Sequence, residues 1–163
     1  MRQPTTEDLA EYFRLALEAG VCRENDIEAW ADKMIADYKS DVPDWLLNLS
    51  IAGEASKNRL LDAVPGKSDP DTYWNLVFAH LGRAARANLL TEERIVRILF
   101  RWQLDRKVPK EHEGEVYGLD DGFDGIKEGW NSLEKFHQYF AEVFAQFREF
   151  ESLIPQTDST LSA

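Results

Sequence analysis

Apolar residues recur along most of this chain at intervals of three and four, the spacing that lines one face of an α-helix. No stretch of useful length alternates with period two, so no strand is expected. Leu9, Tyr12, Phe13, Ala16 and Leu17 form the first stripe. Thr5 and Thr6 stand before it as N-caps, Glu7 and Asp8 suit the positive end of the helix dipole, and Gly20 closes it. Asn25 or Asp26 opens a second helix whose stripe is Ile27, Trp30, Ala31, Met34, Ile35 and Tyr38. The short link between the two predicts an antiparallel pair.

Pro43 signals the next start, since proline is tolerated in a first helical turn. The following LLNLSIA is apolar round most of its circumference and reads as a short buried helix broken at Gly53. Lys57 to Ala63 is a short amphipathic helix stopped by Val64-Pro65-Gly66. Asp69-Pro70, an N-cap followed by proline in the first helical position, opens a long helix with Trp74, Val77, Phe78, Leu81 and Ala85 as its core face. Asn88 is its expected left-handed C-cap. Thr91 starts another, carrying Ile95, Ile98, Leu99 and Trp102 on one side, with Pro109 as its end. Asn131 or Ser132 caps a last helix with the stripe Leu133, Phe136, Phe140, Val143, Phe144, Phe147 and Phe150. The fold class is therefore all-α: six to seven helices in antiparallel pairs, arranged as a compact bundle or a short α-solenoid-like array. At 163 residues a single helical domain over 1–154 with a frayed polar tail over 155–163 is the simplest organisation.

One segment breaks the pattern. Residues 108–131, VPKEHEGEVYGLDDGFDGIKEGWN, hold five glycines and seven acids against two lysines, and read as an acidic connector. Loops of that length in a compact domain are usually functional or disordered, and the pattern does not decide which. Val116, Tyr117, Leu119, Phe123, Ile126 and Trp130 supply apolar anchors that would pack it back on the helices.

Charge sharpens this picture. The net charge is −11, distributed as −6 over residues 1–45, +3 over 46–107 and −8 over 108–163. Such a chain is repelled by nucleic acid and by anionic membrane surfaces, and favours a basic partner. No apolar run approaches the ~18 residues of a membrane span. The N-terminus lacks the apolar core of a secretory signal, and the single Cys22 forms no internal disulfide, so a cytoplasmic protein is expected.

Motifs for chemistry fail on spacing. Glu134 and His137 match the Glu-x-x-His of di-iron bundles, but Val77 stands where the second pair, ending at His80, needs its carboxylate. His137 then reads as a hydrogen-bonded core histidine. Asp120–Asn131 imitates a calcium loop, but Gly122 stands at the third position, where an oxygen ligand is required, and Asn131 at the twelfth, where a bidentate glutamate is required. His112-Glu113 has Val116 in place of the second zinc-protease histidine. No enzyme, metal or cofactor is expected. Arg94, Arg97 and Arg101 share one helix face. Read in order, that stripe is solvated surface, an internal dock for the acidic segment, or a phosphate contact.

Two segments carry a resemblance. Trp30-Ala31-Asp32 followed by Pro43-Asp44-Trp45-Leu46-Leu47-Asn48-Leu49-Ser50 is one. Tyr117-Gly118-Leu119-Asp120-Asp121-Gly122-Phe123-Asp124 followed by Gly129 and Ser132-Leu133-Glu134 is the other. The chain resembles small acidic all-helical bacterial proteins, some of which are similar to toxin-immunity proteins. The resemblance implies an immunity protein that binds and neutralises a cognate toxin, with a basic nuclease as the fitting class. Glu111, Glu113, Glu115, Asp120, Asp121 and Asp124 would be its electrostatic contacts and Tyr117 an anchor. The alternatives are a non-enzymatic helical adaptor or regulatory scaffold, with the Phe-rich last helix as an inter-subunit surface, or an acidic nucleic-acid mimic. Either a monomer or a homodimer fits.

Overall fold

The computed structural model describes residues 2–51 and 57–156. The chain is all-α: among the described residues there are eight α-helices, seven of them of seven residues or more, and two short 3-10 helices. They build two compact units. One runs to Tyr73 and takes up the chain again from Leu153; the other spans Trp74–Ser152. The break expected at Gly53, and residues 157–163 of the polar tail expected over 155–163, lie outside the described residues.

In the first unit, α1 (Thr6–Ala19) begins at Thr5, whose hydroxyl accepts from the Asp8 N–H while the Asp8 carboxylate accepts from the Thr5 N–H at 2.8 Å. This reciprocal capping satisfies two of the four donors that a helix N-terminus leaves open. The same buried Asp8 accepts the Asp69 N–H at 2.6 Å. Gly20, at φ 76°, closes the helix in the left-handed conformation that only glycine adopts cheaply. α2 (Glu24–Asp37) starts just ahead of the expected Asn25 or Asp26, because the Asp26 carboxylate reaches back to the Arg23 N–H at 2.7 Å. α3 (Asp44–Ser50) packs on α2 and buries Leu46 and Leu49. α4 (Lys57–Leu61) packs on α1 and α3. The core here is Tyr12, Phe13, Ile27, Trp30, Leu46, Leu49 and Leu61, with the Phe13 and Trp30 rings 5.0 Å apart. Each such side chain contributes about 1.5–3 kcal/mol on burial.

α5 (Pro70–Arg86) enters the second unit at Trp74 and is buried nearly all round, Leu76, Ala79 and His80 included, not only on the expected face. Asn88 takes the expected left-handed conformation at φ 55°. α6 (Glu92–Leu104) is capped by Thr91, whose hydroxyl accepts from the Arg94 N–H. It stops five residues before Pro109. Lys107 N–H bonds to the Trp102 carbonyl and Arg106 N–H to the Gln103 carbonyl, with Arg106 at φ 56°. That is a Schellman ending with arginine where glycine is usual. α8 (Leu133–Ala145) is capped by Ser132, and a 3-10 turn (Arg148–Leu153) continues it beyond the expected stripe. Phe136, Phe140, Phe144 and Phe147 are all buried, with the Phe78 and Phe147 rings stacked at 4.6 Å. These four rings of the stripe are core, while Leu133 at its start is 54% exposed.

His137 is corrected too. Its side chain is half exposed and its Nδ1 lies 2.5 Å from Glu92 Oε2, so it is a surface hydrogen-bonding group on α8 and not a core histidine.

Candidate functional site

The largest departure from expectation is residues 108–131. They do not form a connector. A 3-10 turn (Lys110–His112) leads directly into α7 (Glu113–Glu128), a 16-residue helix packed against both α6 and α8. Glycine costs about 1 kcal/mol per helical position relative to alanine, so propensity alone opposes this helix. Packing overrides it. Gly118, Gly122 and Gly125 recur at helical spacing and let aromatic groups press against the backbone. A Cβ on Gly118 would collide with the Tyr139 hydroxyl, one on Gly122 would meet Phe136 at 3.4 Å, and one on Gly125 would lie 2.5 Å from the Trp130 ring. Val116 and Leu119 are buried on a second face, continued by Phe123 and Ile126. Gly129, at φ 81°, ends the helix.

The third face is acidic. Glu113, Tyr117, Asp120, Asp121, Asp124 and Glu128 recur at steps of three and four and so share one side of α7. Glu115 falls on the other side, close enough to Tyr139 for its charge, after burial, to help raise the phenol pKa. Glu111 lies in the preceding 3-10 turn. The seven residues expected to meet a partner therefore divide: five on one face, two off it.

Even within that face the roles differ. Arg97 of α6 reaches across to Asp120 Oδ1 at 2.8 Å and Asp124 Oδ1 at 2.7 Å, and its guanidinium lies over the Phe123 ring, 5.4 Å from the centroid. The arginine stripe thus docks the acidic segment internally through one of its members. Burial raises the Asp120 pKa, as does the neighbouring Asp124 charge, against the opposing pull of Arg97. The Arg97 hydrogen bond holds Asp124 below the usual carboxylate range. Asp120 is only 8% exposed, so it is a fixing point for α7 and offers no free charge to a partner. Asp121 and Glu128 are exposed, and Tyr117 is 46% exposed with its ring edge against Phe100.

Where α6 turns into α7, Gln103, Leu104, Arg106, Val108, Glu113 and Tyr117 line a cleft of about 410 Å³. The turn is held by buried Val108 and by the His112 ring, which packs against Phe78 and Phe147 at 5.1 and 5.7 Å. Gln103 is buried, and its Oε1 has no hydrogen-bond partner. Of this cleft only Glu113 and Tyr117 were singled out from sequence. Gln103 stands four residues after Leu99 and seven after Val96, at core spacing, but its polar side chain keeps it out of the apolar stripe that marks the core. Among the described residues no cluster of three or more His, Cys, Asp or Glu has the geometry of a metal site. Cys22 is buried, and burial, with the Asp26 charge, pushes its thiol pKa far up, which makes it a poor nucleophile. No helix is long and apolar enough to cross a membrane among the described residues. No protein-family model, curated protein or solved structure matches the chain.

Proposed function

We propose that this chain is an immunity-type inhibitor that neutralises a toxin by binding a basic domain of it, with a nuclease as the fitting class. The observation that carries the reading is the exposed acidic face of α7. Glu113, Asp121 and Glu128 accompany the half-exposed Tyr117 on a helix whose position is set by Arg97. Carboxylates held on a rigid helix lose little freedom when a lysine or arginine docks on them. The chain's net charge of −11 draws a basic partner in faster than diffusion alone. Covering the cleft of a basic nuclease would deny it its polyanionic substrate.

The test is growth rescue with the toxin domain encoded beside this chain. Wild type is expected to restore growth, and a variant carrying Glu113→Lys, Asp121→Lys and Glu128→Lys is expected to fail while remaining folded. Full rescue by the triple variant would move the interface elsewhere. Absence of rescue by wild type would leave the adaptor reading in its place.

A further inference from the structure

α6 and α7 pack side by side, and each turns a row of charges outward. On α6, Arg94, Arg97 and Arg101 share the side away from the buried Ile95, Leu99 and Trp102. On α7, Tyr117, Asp121, Asp124 and Glu128 share the side away from the buried Val116 and Leu119. Arg97 is taken up by Asp120 and Asp124 of its own chain. Arg94 and Arg101 are exposed and have no ion pair among the described residues, and Asp121 has none either. Glu128 is exposed as well, with one oxygen on the Trp130 indole at 2.8 Å. A basic domain would engage the acidic row alone. A second copy of this chain, turned over so that each row meets its opposite, engages both.

The levels of the two rows decide how the copies meet. Arg97 reaches Asp120 and Asp124, and the Phe100 ring meets Tyr117, so the helices run antiparallel. One turn from Arg97 in either direction, Arg94 is level with Glu128 and Arg101 with Tyr117. A two-fold axis across the helices would lay α6 on α6 and set arginine against arginine. An axis between the helices and parallel to them lays α6 of each copy on α7 of the other at the same level. Arg94 then meets Glu128, Arg101 lies on the Tyr117 ring, and Asp121 falls between the two arginines. The exposed Leu104 comes over Gly114, which has open space where a Cβ would stand.

We infer that two copies of this chain associate through the outer faces of α6 and α7, about a two-fold axis parallel to both helices. Helices of 13 and 16 residues are about 20–24 Å long and pack about 8–10 Å apart, so each copy covers on the order of 500 Å². A standard stable complex covers about 800 Å² per partner, so this dimer is weak and reversible. The charge of −11 on each chain adds a long-range repulsion. A Debye length of about 8 Å at physiological salt screens that repulsion and leaves contacting pairs attractive. The dimer goes beyond the proposed function and competes with it, because it covers Asp121 and Glu128. A basic partner therefore engages the monomer.

Sedimentation equilibrium of the full chain from roughly 10 μM to 1 mM, at about 0.15 M salt, reads the association. Arg94→Glu with Arg101→Glu makes the α6 row acidic, and Asp121→Lys with Glu128→Lys makes the α7 row basic. All four side chains are exposed, so both variants should keep the wild-type helix content and unfolding midpoint. Wild type is expected to dimerise, and each variant alone to associate roughly tenfold or more weakly. An equimolar mixture of the two variants should recover wild-type association, because each reversed row then meets its opposite. The mixed dimer carries the same total charge as the wild-type dimer, so only the placement of the rows differs. A wild type that stays monomeric over this range overturns the inference. So does a dimer that neither variant weakens, or a mixture no tighter than the variants alone. No toxin enters the measurement, so the dimer and the proposed function fail separately.

Discussion

Arg97 stands between two carboxylates that would otherwise repel each other across one turn of α7. Removing it leaves Asp120 buried beside Asp124 without a cation. Because Arg97 is itself 39% exposed, solvent screening discounts the pair, and Arg97→Ala is expected to cost about 1–3 kcal/mol in denaturant unfolding. Adding Asp120→Asn to that variant should recover part of the loss; a cycle with no coupling would refute the dock. His80 makes the second residue-scale prediction. Burial first, and then the Arg83 charge, push its pKa from 6.5 down to about 3. The folded state keeps the ring neutral while the unfolded chain protonates, so between these values the unfolded state binds more protons. Stability present at neutral pH is lost as pH falls from 6.5 towards 3, by up to about 1.4 kcal/mol per pH unit. Unfolding free energies at about pH 7 and pH 5 should differ less in His80→Gln than in wild type. An equal difference would place the acid sensitivity elsewhere.

At the scale of elements, α7 is held by its neighbours and not by its composition. Its glycines are therefore unequal. Gly114 has open space where a Cβ would go, so Gly114→Ala should raise stability by about 0.5–1 kcal/mol through propensity and a less flexible unfolded chain. A Cβ on Gly125 would collide with the Trp130 ring. Gly125→Ala should gain less than Gly114→Ala or lose stability, and should change tryptophan fluorescence as the ring moves. Equal gains at the two positions would show that the glycines are not there to admit the rings. In the first unit, Lys57 plays the corresponding holding part. Its ammonium is fully buried, 3.1 Å from Glu28 and bonded to the Leu49 and Ile51 carbonyls at 3.1 and 2.7 Å. Lys57→Met should cost about 3 kcal/mol or more, because it strands a carboxylate and two carbonyls.

For the whole molecule the governing quantity is charge. With −11 overall and the exposed acids of α7 in one row, association with a basic domain should be fast at low ionic strength and slow as salt is added. The triple lysine variant of Glu113, Asp121 and Glu128 should slow association roughly tenfold or more in low salt, with the gap narrowing near physiological salt and above. Stopped-flow or biosensor kinetics over a salt series would decide. A rate that ignores both salt and the variant would exclude steering by this face.

The helical class, the helix starts at Thr5, Asp69, Thr91 and Ser132, and the buried aromatic stripes of α5 and α8 are local facts. Capping and three-to-four spacing are written into neighbouring residues, and so they could be read from sequence alone. The state of residues 108–131 could not, because glycine opposes a helix locally and packing against α6 and α8 reverses that preference. Nor could sequence separate Asp120, spent on Arg97, from the exposed Asp121 beside it, since the separation depends on a side chain 23 residues away. The orphan oxygen of Gln103 is of the same kind. Burial of a polar atom without a partner belongs to the packed chain, and it appears only when α6 and α7 meet.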